Sequence, residues 1–138
     1  MTRDDIEARV RAFFAGTPCD AAAVYLFGSV ARGAARPDSD VDLGVLFGAA
    51  PPPRLDSPAL DLEALLERHL GLPVELVVLN TAPVDLRIRV LREGRLVLDA
   101  DRPARVRFEV ATRNEYFDLE PVLRTYRAPR PVAGASRR

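Results

Sequence analysis

The spacing of hydrophobic residues changes repeatedly along the chain, and each change marks an element. Ile6, Val10, Phe13 and Phe14 recur at helical spacing behind Thr2 and Asp5, a variant N-terminal capping box, and Gly16 and Pro18 end that helix. Residues 22–27 are an unbroken apolar run, read as a strand. Ser29 to about Gly33 follows as a short helix or turn, and Arg36-Pro37-Asp38-Ser39 as a loop. A second strand is predicted over 40–47, where Val41, Leu43 and Val45 face a core and Asp40 and Asp42 project together on the other side.

Three consecutive prolines between Gly48 and Pro53 predict a surface linker. Asp56-Ser57-Pro58 supplies a cap and a first-turn proline for a helix that buries Leu62, Leu65, Leu66 and Leu70 and stops at Gly71. Val74 to Leu79 reads as a third strand. A helix follows from Pro83 to Gly94 with Leu86, Val90 and Leu91 inward, and Arg95 to Asp99 is a short alternating strand. One more helix is predicted from Pro103 to about Tyr126, interrupted or bent at Pro121, carrying Phe108, Tyr116, Phe117 and Tyr126. The last dozen residues, rich in proline and arginine, are expected to be flexible or extended unless a partner orders them. There is no internal repeat.

At 138 residues the chain is expected to be one domain with a core of its own. Its formal net charge is zero and its apolar fraction ordinary, which argues against a disordered chain and a generally basic nucleic-acid binder. No direct nucleic-acid binding is expected. Charge is uneven, however: residues 102–138 hold nine Arg against Glu109, Glu115, Asp118 and Glu120. Residues 1–100 therefore read as the core, and 101–138 as a C-terminal helix and basic tail that docks a partner. The single cysteine, Cys19, excludes an internal disulfide framework. The polar start Met1-Thr2-Arg3-Asp4-Asp5 is unlike a secretory signal and no apolar run reaches membrane-spanning length, so a soluble cytoplasmic protein is expected.

The chemistry concentrates in residues 28–42, where Gly28-Ser29 ends one strand and Asp40-Val41-Asp42 opens the next. Two carboxylates two residues apart on a strand can bridge two magnesium ions about 3.5–4 Å apart, the arrangement used for in-line nucleotidyl displacement. Magnesium takes few carboxylates together with phosphate oxygens and water, which suits so sparse a set. Gly28 permits a tight turn with no Cβ in the way of a phosphate, Ser29 adds a hydroxyl, and the amides that follow open a helix. Arg32, one turn on, is placed to meet the same phosphates with its guanidinium. Glu75, an acid at the mouth of an apolar strand, is the candidate third carboxylate, as metal ligand or general base.

Simpler roles stay open for the same residues: a polar turn at Asp38-Ser39-Asp40, a solvent-facing acid at Glu75, and a solvated charge at Arg32. A calcium loop fails, because the glycine falls one place late at Gly44 and Ala49 stands where the last ligand belongs. His69, near a helix C-terminus, reads as a dipole or packing residue, and Cys19 as incidental.

With these residues in hand, the chain resembles the nucleotidyltransferase superfamily of DNA polymerase β-like fold. Within it the match is to the minimal nucleotidyltransferases and the MntA-type antitoxins paired with HEPN-domain toxins. The resemblance rests on Phe27-Gly28-Ser29-Val30-Ala31-Arg32-Gly33, Pro37-Asp38-Ser39-Asp40-Val41-Asp42-Leu43 and Val74-Glu75-Leu76-Val77-Val78-Leu79, with further support from 91–97 and 114–119. It implies an α+β fold: a small mixed sheet flanked by helices, with a C-terminal helix and tail. It also implies a Mg2+-dependent protein adenylyltransferase that moves AMP from ATP to a tyrosine of the HEPN toxin. Asp40, Asp42 and Glu75 would hold magnesium, and Gly28 and Ser29 the triphosphate. Many members place Asp where Glu75 stands. Two other functions fit the same sequence: an antitoxin that neutralises by binding alone, and a nucleotidyltransferase of small molecules such as antibiotics. The chain's short length counts against the last of these.

Overall fold

The computed structural model describes residues 1–36, 39–48 and 58–127, with the backbone alone at 58–60, 122–124, 126 and 127. The order of elements is α1 (Arg3–Gly16), β1 (Ala21–Phe27), α2 (Gly28–Ala31), β2 (Val41–Phe47), α3 (Pro58–Leu70), β3 (Val74–Val78), α4 (Val84–Glu93), β4 (Arg95–Asp99) and α5 (Arg102–Arg127). The strands form one sheet in the order β3-β2-β1-β4. β1 is antiparallel to both β2 and β4, whereas β2 and β3 run parallel, so the sheet is mixed as expected.

Both faces of the sheet are covered. On one, Ile6, Val10, Phe13 and Phe14 of α1, Val30 and Ala31 of α2, and Leu62, Leu66 and Leu70 of α3 pack on Val24, Leu26, Val41, Leu43 and Val45. On the other, Val90 of α4 and Phe108 of α5 close over Ala23, Tyr25, Phe27 and Leu46. The period-two alternation of β2 divides its side chains between these two cores.

Local signals account for the ends of α1. Its capping box is formed, with Thr2 Oγ1 accepting from the Asp5 amide at 3.1 Å and Asp5 Oδ2 accepting from the Thr2 amide at 3.0 Å. Glu7, a buried acid on α1, is matched by Arg95 of β4, and Arg11 donates to the Val97 carbonyl at 3.1 Å. α1 is thereby fastened to the far edge of the sheet by charge as well as by packing.

Several sequence expectations shift. β1 begins at Ala21, and β2 at Val41, leaving Asp40 just before the strand rather than in it. Leu65 is exposed, because the inward stripe of α3 is Leu62, Leu66 and Leu70 at intervals of four. α5 starts at Arg102 and runs as one helix to Arg127, with Pro121 inside it rather than interrupting it. Its inner face carries Ala104, Phe108 and Tyr116, the last packed on Val84 and Ile88 of α4, while Phe117 is 71% exposed. The proline linker, the Asp56-Ser57 cap, Pro37-Asp38, the Tyr126 side chain and the basic tail lie outside the described residues.

A polar cluster joins α5 to the sheet. The Tyr25 hydroxyl donates to Glu109 at 2.7 Å, and Arg105 bridges Asp99 at 2.9 Å and Glu109 at 3.0 Å. Burial, and then Glu109, raises the pKa of the Tyr25 phenol, which stays protonated as the donor this bond needs. Among the described residues no helix is long and apolar enough to cross a membrane.

Candidate active site

The end of β1 and the beginnings of β2 and β3 meet at one edge of the sheet. Phe27 pairs with Asp42 across the β1–β2 ladder, and Asp42 pairs with Glu75 across the β2–β3 ladder. Directly opposed residues share a face, so the two acids stand side by side on the face that α4 and α5 cover further along. Asp42 is half-buried, while Asp40 and Glu75 are exposed.

Gly28 makes this proximity possible. Its φ is +76°, a conformation that favours glycine. A Cβ built on it would fall 2.1 Å from Asp42 Oδ2, so the carboxylate occupies the space a side chain would need. α2 then turns inward, where Val30 and Ala31 anchor it in the first core and leave Ser29 half-buried.

Crowding shows in the electrostatics. Burial pushes the Asp42 carboxyl from 3.8 up to about 6, helped by the charges of Glu75 and then Asp40 and by a hydrogen bond with Glu75; Arg89 opposes the shift. A half-buried carboxylate raised by two acidic neighbours is a place where a hard, oxygen-liganded cation is welcome. Among the described residues no three His, Cys, Asp or Glu side chains are already gathered into a cage. The donor set fits magnesium, which completes its shell with water and phosphate oxygens, better than it fits a metal that demands a closed protein site.

Two arginines border the acids. Arg32, at the C-cap of α2, reaches Glu93 Oε1 at 3.4 Å, and Arg89 of α4 reaches the same oxygen at 3.5 Å. The Arg89 guanidinium also lies over the Phe27 ring, 5.9 Å from its centroid. The sequence singles out Arg32 for this neighbourhood but not Arg89 or Glu93, and names Phe27 only within the Gly28-Ser29 motif. The i, i+4 spacing of Arg89 and Glu93 is a visible helix signal, but only the sheet topology brings α4 over Asp42. His69 lies elsewhere, its Nε2 3.0 Å from the Arg9 carbonyl and its ring 5.5 Å from Phe13, in the packing role expected of it.

The mixed sheet brings a glycine turn and acidic strand ends together at one edge, an arrangement suited to nucleotidyl transfer. The family described as Polymerase beta, Nucleotidyltransferase matches residues 11–103, and the chain belongs to that family. Among solved structures, the fold is similar to a chain of a toxin-antitoxin complex with AMP-PNP, with a TM-score of 0.70 at 21% identity over 88% of this chain and 98% of that one. A chain from the complex of a tri-AMPylated Shewanella oneidensis HEPN toxin with MNT antitoxin gives a TM-score of 0.63 at 20% identity, over 92% and 100%. A chain of the MntA-HepT toxin-antitoxin complex gives 0.62 at 20%, over 91% and 99%. No curated protein sequence matches significantly. The fold implied by the sequence resemblance is thus the observed one.

Proposed function

We propose that the chain is the antitoxin of a toxin-antitoxin pair, a Mg2+-dependent protein adenylyltransferase that moves AMP from ATP to a tyrosine of a HEPN-domain toxin. The observation that carries this reading is the Asp42 carboxylate, seated against the bare Cα of Gly28 and in register with Glu75. The choice of acceptor is supported by the similar folds, which include a complex containing an AMPylated HEPN toxin.

In this reading Asp40, Asp42 and Glu75 would hold magnesium, which would supply charge to neutralise the triphosphate and the departing pyrophosphate and to lower the pKa of the attacking hydroxyl. The tyrosine oxygen attacks the α-phosphorus, the bond from that phosphorus to the bridging oxygen of the β-phosphate breaks, and pyrophosphate leaves. The phenolic proton passes to a carboxylate of the acidic row. Gly28 leaves the following backbone open to phosphate oxygens, and the Ser29 hydroxyl donates to one of them. Arg32 exchanges Glu93 for the triphosphate, a more highly charged acceptor for the same guanidinium.

The test is incubation with labelled ATP, magnesium and the cognate toxin. Label on the toxin, lost with Asp42→Asn, supports the proposal. An unlabelled toxin that both wild type and Asp42→Asn still neutralise would sink it.

One observation favours a second reading, neutralisation by binding alone. Val106, Val110 and Phe117 recur along the outer side of α5 and are all exposed. A docking role for 101–138 predicts that Val110→Ser/Phe117→Ser abolishes neutralisation while Asp40→Asn/Asp42→Asn retains it. Loss with both variants shows that docking serves the chemistry.

A further inference from the structure

β3 is an edge strand, and among the described residues the N–H groups it turns outward meet no other strand. The Val41 amide donates to the Pro73 carbonyl at 2.8 Å and the Leu79 amide to the Val45 carbonyl at 2.9 Å. Odd-numbered residues of β3 therefore bond toward β2, and the even-numbered ones turn their amides outward. Helix α3 receives two of these: the Val74 amide donates to Glu67 Oε2 at 3.0 Å, and the Leu76 amide to Glu63 Oε2 at 2.9 Å. Val74 and Leu76 are the two neighbours of Glu75.

The match has a geometric basis. Four residues of helix rise about 6 Å and two residues of strand about 6.7 Å, so carboxylates at i and i+4 keep step with alternate amides of a strand. Glu63 and Glu67 each follow a buried anchor of α3, Leu62 and Leu66, which sets the helix against the first core. Both bonds are charge-assisted, stronger than an ordinary amide bond to a neutral oxygen.

We infer that Glu63 and Glu67 are positioning residues that clamp the backbone on both sides of Glu75 and hold its carboxylate in register with Asp42. This rests on the reading of Glu75 as the third acid. The clamp explains how an edge strand, paired on one side alone, serves as one wall of a site. It also occupies two of the amides through which a foreign strand would extend the sheet.

The test compares the full chain with Glu63→Ala/Glu67→Ala, Glu63→Gln/Glu67→Gln, Leu70→Val and Glu75→Ala. It reads amide hydrogen exchange at Val74 and Leu76, and Mn2+ binding with a non-hydrolysable ATP analogue by electron paramagnetic resonance. The alanine pair should speed exchange at both amides about tenfold and weaken Mn2+ binding about tenfold. The glutamine pair keeps a carbonyl oxygen at each position and should restore both to within about threefold. Leu70→Val, which lowers stability through the same helix, should leave Mn2+ binding unchanged.

Normal Mn2+ binding in the alanine pair overturns the proposal, as does an equal loss in Leu70→Val or no rescue by glutamine. If Glu75→Ala binds Mn2+ normally, the role of Glu75 falls and the positioning claim with it, whatever the exchange shows. Should the alanine pair fail to fold, Glu67→Ala alone takes its place, with exchange at Val74 as the readout.

Discussion

Gly28→Ala tests how closely the glycine turn and Asp42 depend on each other. The new Cβ would fall 2.1 Å from Asp42 Oδ2, where ordinary contact begins at 3.4 Å, so one of them must move by about 1.3 Å. Displacing a reacting or ligating group by about 1 Å lowers catalysis about a hundredfold. Independently, a residue with a Cβ at φ +76° is strained by about 1–2 kcal/mol. That amounts to several degrees of melting temperature in a domain of this size. Gly33 separates the two effects. Its φ is +72°, yet nothing lies within 4 Å of its would-be Cβ. Gly33→Ala should therefore lose similar stability by thermal denaturation and keep AMP transfer to the toxin, while Gly28→Ala loses both. Equal transfer by the two variants would refute the idea that Gly28 makes room for Asp42.

Other predictions follow from the polar contacts. The folded Asp42 carboxyl titrates at about 6 rather than 3.8, so the folded state binds more protons between those values and stability falls as pH rises through that window. Asp42→Asn should raise the melting temperature of the metal-free protein at about pH 7.5, with the gain fading toward about pH 4; a pH-independent difference contradicts this. Tyr25→Phe removes the 2.7 Å bond to Glu109 but leaves Arg105 in place, and should lower urea stability by about 1–2 kcal/mol. Asn80→Ala strips the Phe47 amide and carbonyl of partners at 2.9 and 2.8 Å, and should lower stability by about 1–3 kcal/mol on the same assay.

What the sequence disclosed depended on how local each signal was. The α1 capping box, the Gly-Ser turn and the alternation in β2 are short-range patterns, and the structure has all three. Leu65 differs from expectation because Leu62, Leu65, Leu66 and Leu70 together exceed one helix face, and the sequence does not say which of them points away. Asp40 reads as part of the strand because a polar residue beside an alternating run looks like its continuation. The ladder with β3 begins one residue later, at Val41 opposite Val74. Arg89, Glu93, Glu63 and Glu67 stayed hidden for a different reason. Each looks like an ordinary helix charge until the fold sets its helix against a neighbouring element.

The parallel pairing of β2 and β3 puts their N-terminal ends at the same edge as the C-terminal end of β1. Phe47, where the chain leaves β2 for α3, is at the opposite end of the sheet, a strand's length from Asp42. A change at the Phe47 end, such as Asn80→Ala, therefore reaches the acidic row only through the length of β2. A change at Gly28 meets Asp42 directly. Stability can be retuned at one end of the sheet while the chemistry stays with the other.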